Sequence, residues 1–499
     1  MNATRLTGFV AVLASSIWFA PAGSARQAAA PLAPQGQTRT PDLELVATFD
    51  QDKNGWLNLA ERTAARTKLL ELRPGRRGGT PPAAPAPGRR LTPADVSRHA
   101  GASLYDPSIL RTIFLEFEHE NWEEELESFY HTDVELPATV RVDGRTLQNV
   151  GVQFRGNSSF FSVQRGRKRS LSLAPSHVNA EQRIAAYRAL TLLNAHSDPT
   201  FMRSMLYLDI ARQWIPTLKA NFMRVVINGE SWGVYVNQQR FNKDFLREAF
   251  KTETGTRFKS SNRSRGGGLS YLGENVAEYR KWYEIQDPDR DESWKPLMNV
   301  TRVLAETPVE KLPAAIEPIL DVDGALRFLA LDIAVMSGDG YWLYGSELNL
   351  YVDAKGKLHV LHHDANEAFT AQTSAGATGR GGGPRDAKAD PLGYMDDPFK
   401  ALRHKLLAVP QYRDRYLRYV RDIAQKSLDW AAIEPKINAW RRLIAADVEA
   451  DTRKLYSTEE FTAATFGGAE PTATNSIKGF LLERRKYLLE HPAIQALGR

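Results

Sequence analysis

The residues best able to do chemistry lie within residues 338–369. Asp339 stands in a glycine-flanked turn, and Asp364 follows two strand-like runs that a tight turn at 355–357 joins into a predicted hairpin. Mg²⁺ prefers oxygen ligands and is often held by one or two carboxylates together with substrate phosphates. One aspartate near a substrate hydroxyl and a second on a metal form the minimum set for phosphoryl transfer. This chemistry requires Asp339 and Asp364 to converge on one site. Turn formation and helix capping are the alternative roles of these two residues.

A second oxygen-rich segment occupies residues 50–61. Its spacing matches the EF-hand loop, in which alternating oxygen donors surround Ca²⁺ and a glycine makes the sharp turn. The predicted calcium ligands are Asp50, Asp52, Asn54, the carbonyl of Trp56, Asn58 and the bidentate Glu61. A polar turn that binds nothing is the alternative. Because one such loop is evident and EF-hands usually pair, we expect weak calcium binding that supports structure or adhesion.

Length and composition describe an ordinary globular protein. The chain has 499 residues, of which 42% are hydrophobic and 25% charged, and a net charge of +6. The positive charge is mild and dispersed, so it does not indicate a nucleic-acid partner. The chain has no cysteine, so its stability must come from core burial and bound metal rather than from disulfides.

The N-terminus is typical of a secretory signal. Arg5 precedes an apolar stretch at 6–19, and small residues at 22–25 offer a cleavage site. The apolar stretch is shorter than a membrane span requires, and no later stretch is long and apolar enough to cross a bilayer. We therefore expect a secreted or cell-envelope protein, periplasmic or extracellular, of a bacterium. The oligomeric state is left open.

The chain divides into segments of different composition. The predicted segments are a signal peptide (1–25), a disordered stretch (26–41), an EF-hand-like module (42–73), a Pro/Gly/Arg linker (74–100), a main domain (101–400) and its helical C-terminal part (401–499). Asn228-Gly229 predicts a hairpin, and 199–214 and 322–336 predict helices. A glycine-rich insert at 374–384 is either a mobile lid or solvated filler. The fold class is α+β, with a mostly antiparallel sheet and a helical C-terminal part.

Several motifs, in order, resemble the CotH family of secreted atypical protein kinases. They run from about residue 113 to 407 and include Asp339-Gly340-Tyr341, Leu350-Tyr351, the HDANE of 363–367, the RGNSS of 155–159, the LNAHSDPTFMR of 193–203, the INGESWGVYVNQQ of 227–239 and the LSYLGEN of 269–275. The resemblance implies an atypical kinase-like core. It also implies transfer of phosphate from ATP, with Mg²⁺ or Mn²⁺, to Ser or Thr of an exported or surface protein.

The resemblance assigns roles to individual residues. Asp339 would orient or deprotonate the substrate hydroxyl, and Asp364 with Asn366 would hold the metal. The nucleotide phosphates would contact Lys168, Arg155 and Arg169, for which a surface basic run is the alternative. A further catalytic position falls on Glu347 or on Asn349, two residues along the same strand face. Gln239 stands in the cofactor-binding segment where the family often has Glu.

Two other functions remain open at this stage. The first is a catalytically weak or inactive surface or coat assembly protein of the same fold, which the neutral Gln239 favours. The second is a hydrolase or carbohydrate-binding protein that uses Asp339 and Asp364 as a pair of acids.

Overall fold

The structure, a computed structural model, describes residues 42–72, 85–260, 267–345, 347–370, 387–467 and 476–497. The predicted signal peptide, the stretch at 26–41, the last residue of the predicted EF-hand-like module, residues 74–84 of the predicted linker and the glycine-rich insert at 374–384 lie outside the described residues.

Seven strands close into a barrel. They are β1 (Arg111–Phe117), β2 (Leu136–Val142), β3 (Arg145–Phe154), β4 (Leu171–Ala174), β5 (Leu190–Leu193), β6 (Ala220–Ile227) and β7 (Glu230–Gln238). Their order is β1-β2-β3-β4-β5-β7-β6, and β1 closes the ring by pairing parallel with β6 while the other neighbours pair antiparallel. Side chains alternate along each strand. Val152, Leu171 and Leu192 therefore fill the dry interior, and Ser170 and Ser172 face outwards.

Four further strands form a separate antiparallel sheet. They are β8 (Thr256–Ser260), β9 (Glu284–Ile285), β10 (Leu348–Val352) and β11 (Leu358–His362), in the order β11-β10-β8-β9. The β10–β11 hairpin turns where the sequence predicts it. This sheet and most of the helices share one large apolar core.

Helices surround and follow the two sheets. They are α1 (Val46–Phe49), α2 (Leu59–Leu72), α3 (Trp122–Ser128), α4 (Ser158–Phe161), α5 (Arg203–Ala211), α6 (Lys243–Ala249), α7 (Val276–Arg280), α8 (Asp291–Glu306), α9 (Leu312–Ile316), α10 (Val322–Val335), α11 (Tyr341–Tyr344), α12 (Ala401–Ala408), α13 (Pro410–Lys426), α14 (Trp430–Ala450), α15 (Thr458–Phe466), α16 (Ile477–Glu490) and α17 (Pro492–Gln495). The expected mixture of α and β with a helical C-terminal part is confirmed. Among the described residues, no helix combines the length and the apolar character that crossing a bilayer would need.

Two local predictions differ from the structure. The helix predicted over 199–214 begins only at Arg203, because Phe201 has a positive φ of 61° and the Asp198 carboxylate accepts the Arg203 N–H at 2.9 Å. The last part of the predicted linker, 85–100, lies on the barrel. There Leu91 donates its N–H to the Gly229 carbonyl at 2.9 Å and buries its side chain.

Candidate functional site

Two arginines lie on the outer face of the barrel, near residues of the four-stranded sheet and the Asp364 segment. We call the region between Arg155 and Arg240 on one side and Lys259 on the other the cleft. Arg155 directly follows β3 and donates its backbone N–H to the Ser170 carbonyl at 2.9 Å. Arg240 lies two residues beyond β7, and its Nη1 donates to Ser172 Oγ at 3.1 Å. Since Ser170 and Ser172 share the outer face of one edge of β4, the two arginines lie side by side on this wall.

Neither guanidinium has an acidic partner in contact. Within the part of the chain that the structure describes, Arg155 forms no side-chain hydrogen bond or ion pair, and Arg240 bonds only to Ser172 Oγ. Burial, followed by repulsion from Arg240, lowers the pKa of Arg155 to about 10, while Asp364 opposes that change. Burial also lowers the pKa of Arg240, against the attraction of Glu135 and then Glu284. Arg155 is half-buried and Arg240 is exposed, and two neighbouring cations that repel each other favour an anionic ligand.

The opposite wall comes from the four-stranded sheet. Lys259 on β8 is the register partner of both Glu284 on β9 and Asn349 on β10, so these three side chains form a row on one face. The carboxylate of Glu347 lies 3.7 Å from His363 Nε2. Burial, followed by repulsion from Lys259 and Arg155, lowers the pKa of His363 well below its usual range. Arg155 and Lys259 are thus both close enough to His363 to disfavour its charged form.

Glu347 and Asn349, the alternatives for one catalytic position, both lie at this wall. Asn349 donates its Nδ2 to the His362 carbonyl at 2.8 Å. Its Oδ1 is buried and accepts no hydrogen bond from any residue that the structure describes. A buried amide oxygen without a partner costs free energy. It is also an oxygen donor of the type that Mg²⁺ binds.

The turn that carries Asp339 lies against the segment that carries Asp364. The Gly338 N–H donates to the Glu367 carbonyl at 3.1 Å, and Ser337 Oγ lies 3.5 Å from the Asp364 carbonyl. Asn366 donates its backbone N–H to Asp364 Oδ1 at 3.2 Å. The structure thus brings together the two stretches that the sequence separates by a hairpin.

The buried carboxylate of Asp332, in α10, contacts the turn that carries Asp339. Its Oδ2 accepts the Trp342 N–H at 2.6 Å, and a Cβ at Gly340 would collide with its Oδ1. Burial raises the pKa of Asp332 to about 7, with smaller opposing effects from the Trp342 N–H and from Arg403. A fully buried carboxyl group without a cation in contact thus shapes the backbone around Asp339.

Asn366 and the two adjacent histidines occupy distinct places. Asn366 donates its Nδ2 to the His196 carbonyl at 3.2 Å, which leaves its amide oxygen for other use. His362 packs against Tyr207 with ring centroids 4.0 Å apart and ring planes tilted by 33°, whereas His363 lies near Glu347. The two histidines therefore do not share one ion.

Two predicted phosphate contacts, Lys168 and Arg169, have acidic partners within the protein, and their role in phosphate binding stays a prediction. Lys168 Nζ is buried against Asp451 Oδ2 at 2.6 Å and donates to the Val234 carbonyl at 3.0 Å. Arg169 forms an ion pair with Glu127 and donates to the Val163 carbonyl. Both cations are neutralised within the protein. The sequence places them in a basic run but cannot show which acids distant in the chain will meet them.

Gln239 also has partners of its own. Its Nε2 donates to Glu248 Oε2 at 2.8 Å, and its Oε1 accepts the Lys219 N–H at 3.2 Å. Glu248 in turn bonds to Lys219 Nζ at 3.0 Å. A neutral side chain therefore stands beside a carboxylate that already has a lysine partner.

The predicted calcium loop brings its acidic ligands together. Carboxylate oxygens of Asp50, Asp52 and Glu61 lie within 4.8 Å of one another. Asp50 Oδ2 accepts the N–H of Gly55 at 2.8 Å, and Gly55 makes the sharp turn with a φ of 88°. The other three predicted ligands are Asn54, Trp56 and Asn58. The two asparagines use their side-chain oxygens to accept backbone N–H groups nearby.

The loop is part of the main body. Arg62 of α2 forms a buried ion pair with Glu125 at 2.8 Å, and Leu57 and Leu69 join the barrel's core. Leu45 donates its N–H to Asp133 Oδ1 at 2.7 Å. These contacts join the predicted module firmly to the barrel.

Sequence reasoning missed three charged residues of the cleft. They are Arg240, Lys259 and Glu284. Lys259 occupies an alternate position in a short strand-like run, which is a weak signal, and nothing local distinguishes Arg240 or Glu284 from surface charges.

Comparison with known proteins identifies the family. A family model described as CotH kinase protein matches residues 152–488, which is more than half of the chain. The matched region contains both walls of the cleft, the Asp339 turn and the Asp364 segment. The chain belongs to the CotH kinase protein family.

Two curated proteins of the fungus Rhizopus delemar are similar to the chain. Invasin CotH7 is 22% identical over 284 residues, which cover 54% of this chain and 45% of that protein. Spore coat protein homolog 1 is 21% identical over 267 residues, 51% of this chain and 41% of that protein. The chain thus matches less than half the length of each relative. Since both relatives are fungal, they do not support the expected bacterial origin.

Proposed function

We propose that the chain is a protein kinase of exported or surface proteins, which transfers the γ-phosphate of ATP to Ser or Thr. The observation that carries the proposal is the pair Arg155 and Arg240, two guanidiniums near Asp364 that contact no acid among the residues the structure describes. Two unpaired cations fit a polyphosphate, since guanidinium binds phosphate oxygens through paired N–H donors. Family membership and the adjacent Asp339 turn support the same reaction.

Each residue has a defined part in the proposed reaction. Arg155 and Arg240 bind phosphate oxygens, and Asp339 accepts the proton of the substrate hydroxyl. The hydroxyl oxygen then bonds to the γ-phosphorus while the bond to the β–γ bridging oxygen breaks, and ADP leaves. His363 is held neutral by its surroundings, and Glu347 orients it. The fold would thus serve as an atypical kinase-like core, with the cleft between its two sheets as the nucleotide site.

The cleft offers ligands that fit Mg²⁺ or Mn²⁺. These are the Asp364 carboxylate, the amide oxygen of Asn366 and the partnerless buried Oδ1 of Asn349. A bound divalent ion would neutralise phosphate charge and align the γ-phosphate. Asp364 carries the formal charge that such a site needs, and the two amides add oxygens without additional repulsion.

The loop of residues 50–61 is proposed to bind Ca²⁺. Its three clustered carboxylates and the glycine turn support this part of the proposal. Because the loop packs on the barrel, the expected effect of calcium is stabilisation of the whole protein. The secretory type of N-terminus places the proposed kinase outside the cytoplasm. Bacterial origin stays a prediction from the sequence.

The test is phosphate transfer from radiolabelled ATP with Mn²⁺ to the protein itself and to a panel of Ser- and Thr-rich exported proteins. Transfer by the unaltered protein, and a loss of about 100-fold or more in Asp364→Asn, would support the proposal, as expected for removal of a charged metal ligand. Asp414→Asn, at an exposed position of α13, is the matched control and should retain full activity. Equal transfer by Asp364→Asn and the unaltered protein would contradict the assigned mechanism.

A catalytically weak or inactive surface assembly protein is the second candidate. The neutral Gln239 beside Glu248 and the name of the relative spore coat protein homolog 1 favour it. Thermal unfolding with and without ATP and Mn²⁺ separates the two candidates. A nucleotide-dependent rise in Tm that disappears in Arg155→Gln favours the kinase, and no shift at millimolar ATP favours the assembly protein.

A further inference from the structure

We propose that Glu135 is a positioning residue for Arg240, and that calcium in the loop of residues 50–61 sustains this position through Trp56 and His177. The inference rests on the proposed function and deepens it, because it connects the nucleotide cleft with the calcium loop. Its steps are carried by four side chains: Arg240, Glu135, His177 and Trp56.

Glu135 lies on the same face of the barrel as the contact that holds Arg240. Glu135 precedes β2, and its carboxylate lies over Gly151 of β3, where a Cβ would collide with its Oε2. Gly151 pairs with Ala174 of β4, which lies two residues along the same face from Ser172. Two residues of a strand span about 7 Å. Since Ser172 Oγ binds Arg240, the Glu135 carboxylate lies one strand across and two residues along the sheet from the contact that holds the arginine.

His177 in turn holds the Glu135 carboxylate. His177 Nδ1 lies 2.9 Å from Glu135 Oε2, and the missing Cβ of Gly151 leaves space for this pair. The histidine side chain is largely buried, and its Nε2 has no hydrogen-bond partner among the residues that the structure describes. The imidazole thus has one polar contact, and that contact fixes the rotamer of Glu135.

Trp56 of the predicted calcium loop contacts His177. The Trp56 ring packs edge-on against the His177 ring with centroids 6.0 Å apart. Trp56 is the loop position whose backbone carbonyl is the predicted calcium ligand, so a bound ion would fix the backbone that carries this ring. The carboxylates of Asp50, Asp52 and Glu61 lie within 4.8 Å of one another, and their repulsion weakens the closed loop unless a cation offsets it.

These contacts would couple calcium binding in the loop to nucleotide affinity in the cleft. Calcium favours the closed loop, Trp56 then supports His177, and Glu135 keeps Arg240 directed into the cleft. A loop with two states that also bears on a second site is the physical requirement for such coupling. The effect falls on nucleotide affinity, because Glu135 touches neither the substrate hydroxyl nor the Asp364 segment.

The experiment measures the Kd of ATP with Mg²⁺ in the full chain, in calcium and in EGTA, together with KM and kcat. We expect calcium removal to weaken ATP binding about fivefold or more and to raise KM while kcat changes little. Glu135→Gln should weaken ATP binding in calcium and remove most of the calcium dependence. Glu181→Gln, at an exposed position, is the control and should behave like the unaltered protein.

Trp56→Leu keeps the backbone carbonyl and removes only the ring contact. It should bind calcium as the unaltered protein does, by calorimetry, yet show no effect of calcium on ATP affinity. If ATP binds and neither calcium nor Glu135→Gln alters its Kd, the inference is overturned while the proposed function stands. If the loop binds no calcium, the inference is overturned as well, and if no ATP binds at all, the proposed function fails together with it.

Discussion

The outer side of the barrel has two basic regions with opposite properties. Lys168 and Arg169 lie just before β4 and form ion pairs with Asp451 and Glu127, respectively. Arg155 and Arg240 face the cleft and have no acid in contact among the described residues. A buried cation with a fixed acid is fully used within the fold, whereas the half-buried Arg155 and the exposed Arg240 have donors left for a ligand. The difference shows that the partner of a charge, rather than its presence, indicates function.

The largest expected effect is a loss of stability when the ion pair of Lys168 is broken. Lys168→Met leaves the Asp451 carboxylate buried without its cation, so we expect the free energy of unfolding to fall by about 3–5 kcal/mol. Urea unfolding measures this change. Arg155→Met is the matched comparison and should cost far less, because no acid in contact loses a partner. A similar loss in both variants would remove the distinction between the regions.

Asp332 gives the opposite case, because it is a buried acid that contacts no cation among the described residues. The folded-state pKa of Asp332 is about 7, above its ordinary value of 3.8. The folded protein therefore retains a proton that the unfolded chain loses, and stability is highest below about pH 4 for this group and falls as pH rises to about 7. Asp332→Asn should remove this dependence and gain on the order of 2–4 kcal/mol at pH 8 relative to the unaltered protein.

Urea unfolding at pH 5 and pH 8 in both proteins checks the Asp332 prediction. The difference in unfolding free energy between Asp332→Asn and the unaltered protein should grow from pH 5 to pH 8. A constant difference would mean that Asp332 is ionised in the folded protein throughout this range.

The unpaired region should respond in binding rather than in stability. Arg155→Gln and Arg240→Gln should each weaken ATP binding by about 10-fold to 100-fold, the range for a lost hydrogen bond to a charged group. Their Tm should stay close to that of the unaltered protein, or rise, because each substitution relieves repulsion between two guanidiniums. Calorimetry with ATP and Mg²⁺ measures the affinity.

Arg418→Gln, at an exposed position of α13, is the control for these charge changes. It should leave ATP binding unaltered. Equal weakening in Arg418→Gln would show that overall charge, and not the cleft pair, attracts the nucleotide.

The smallest effect concerns two arginines one turn apart on α2. Arg62 is buried with Glu125, whereas Arg66 meets Glu124 at 3.4 Å in a largely solvated pair. Arg66→Gln should cost less than about 1 kcal/mol, because solvent screens the pair. Arg62→Gln should cost several times more in the same unfolding assay. Equal costs would show that burial does not decide the strength of these pairs.

Local signals predicted several elements well. Asn228-Gly229 predicts a hairpin, and the structure has β6 and β7 on either side, with positive φ at both residues. The helix predicted over 322–336 is α10, and Met336 ends it in the left-handed conformation. The calcium loop is likewise contiguous, so its spacing alone predicted the approach of Asp50, Asp52 and Glu61.

The cleft was only partly predictable for a physical reason. Asp339 and Asp364 belong to one short segment whose hairpin returns the chain to its start, and their two stretches meet as expected. The sequence could not show that Lys168 pairs with Asp451, because the two residues lie 283 positions apart. Arg240 was missed because only the packing of one sheet on another shows which surface charges face a cleft.

The sequence by itself determined the family, the mixed α and β elements and the clustered carboxylates of residues 50–61, because these depend on spacing along the chain. Tertiary structure alone decided which cations stay unpaired. Whether a charge is neutralised depends on the acids that folding brings within a few ångströms of it, and for Lys168, Arg155 and Arg240 local sequence does not show which acids these will be.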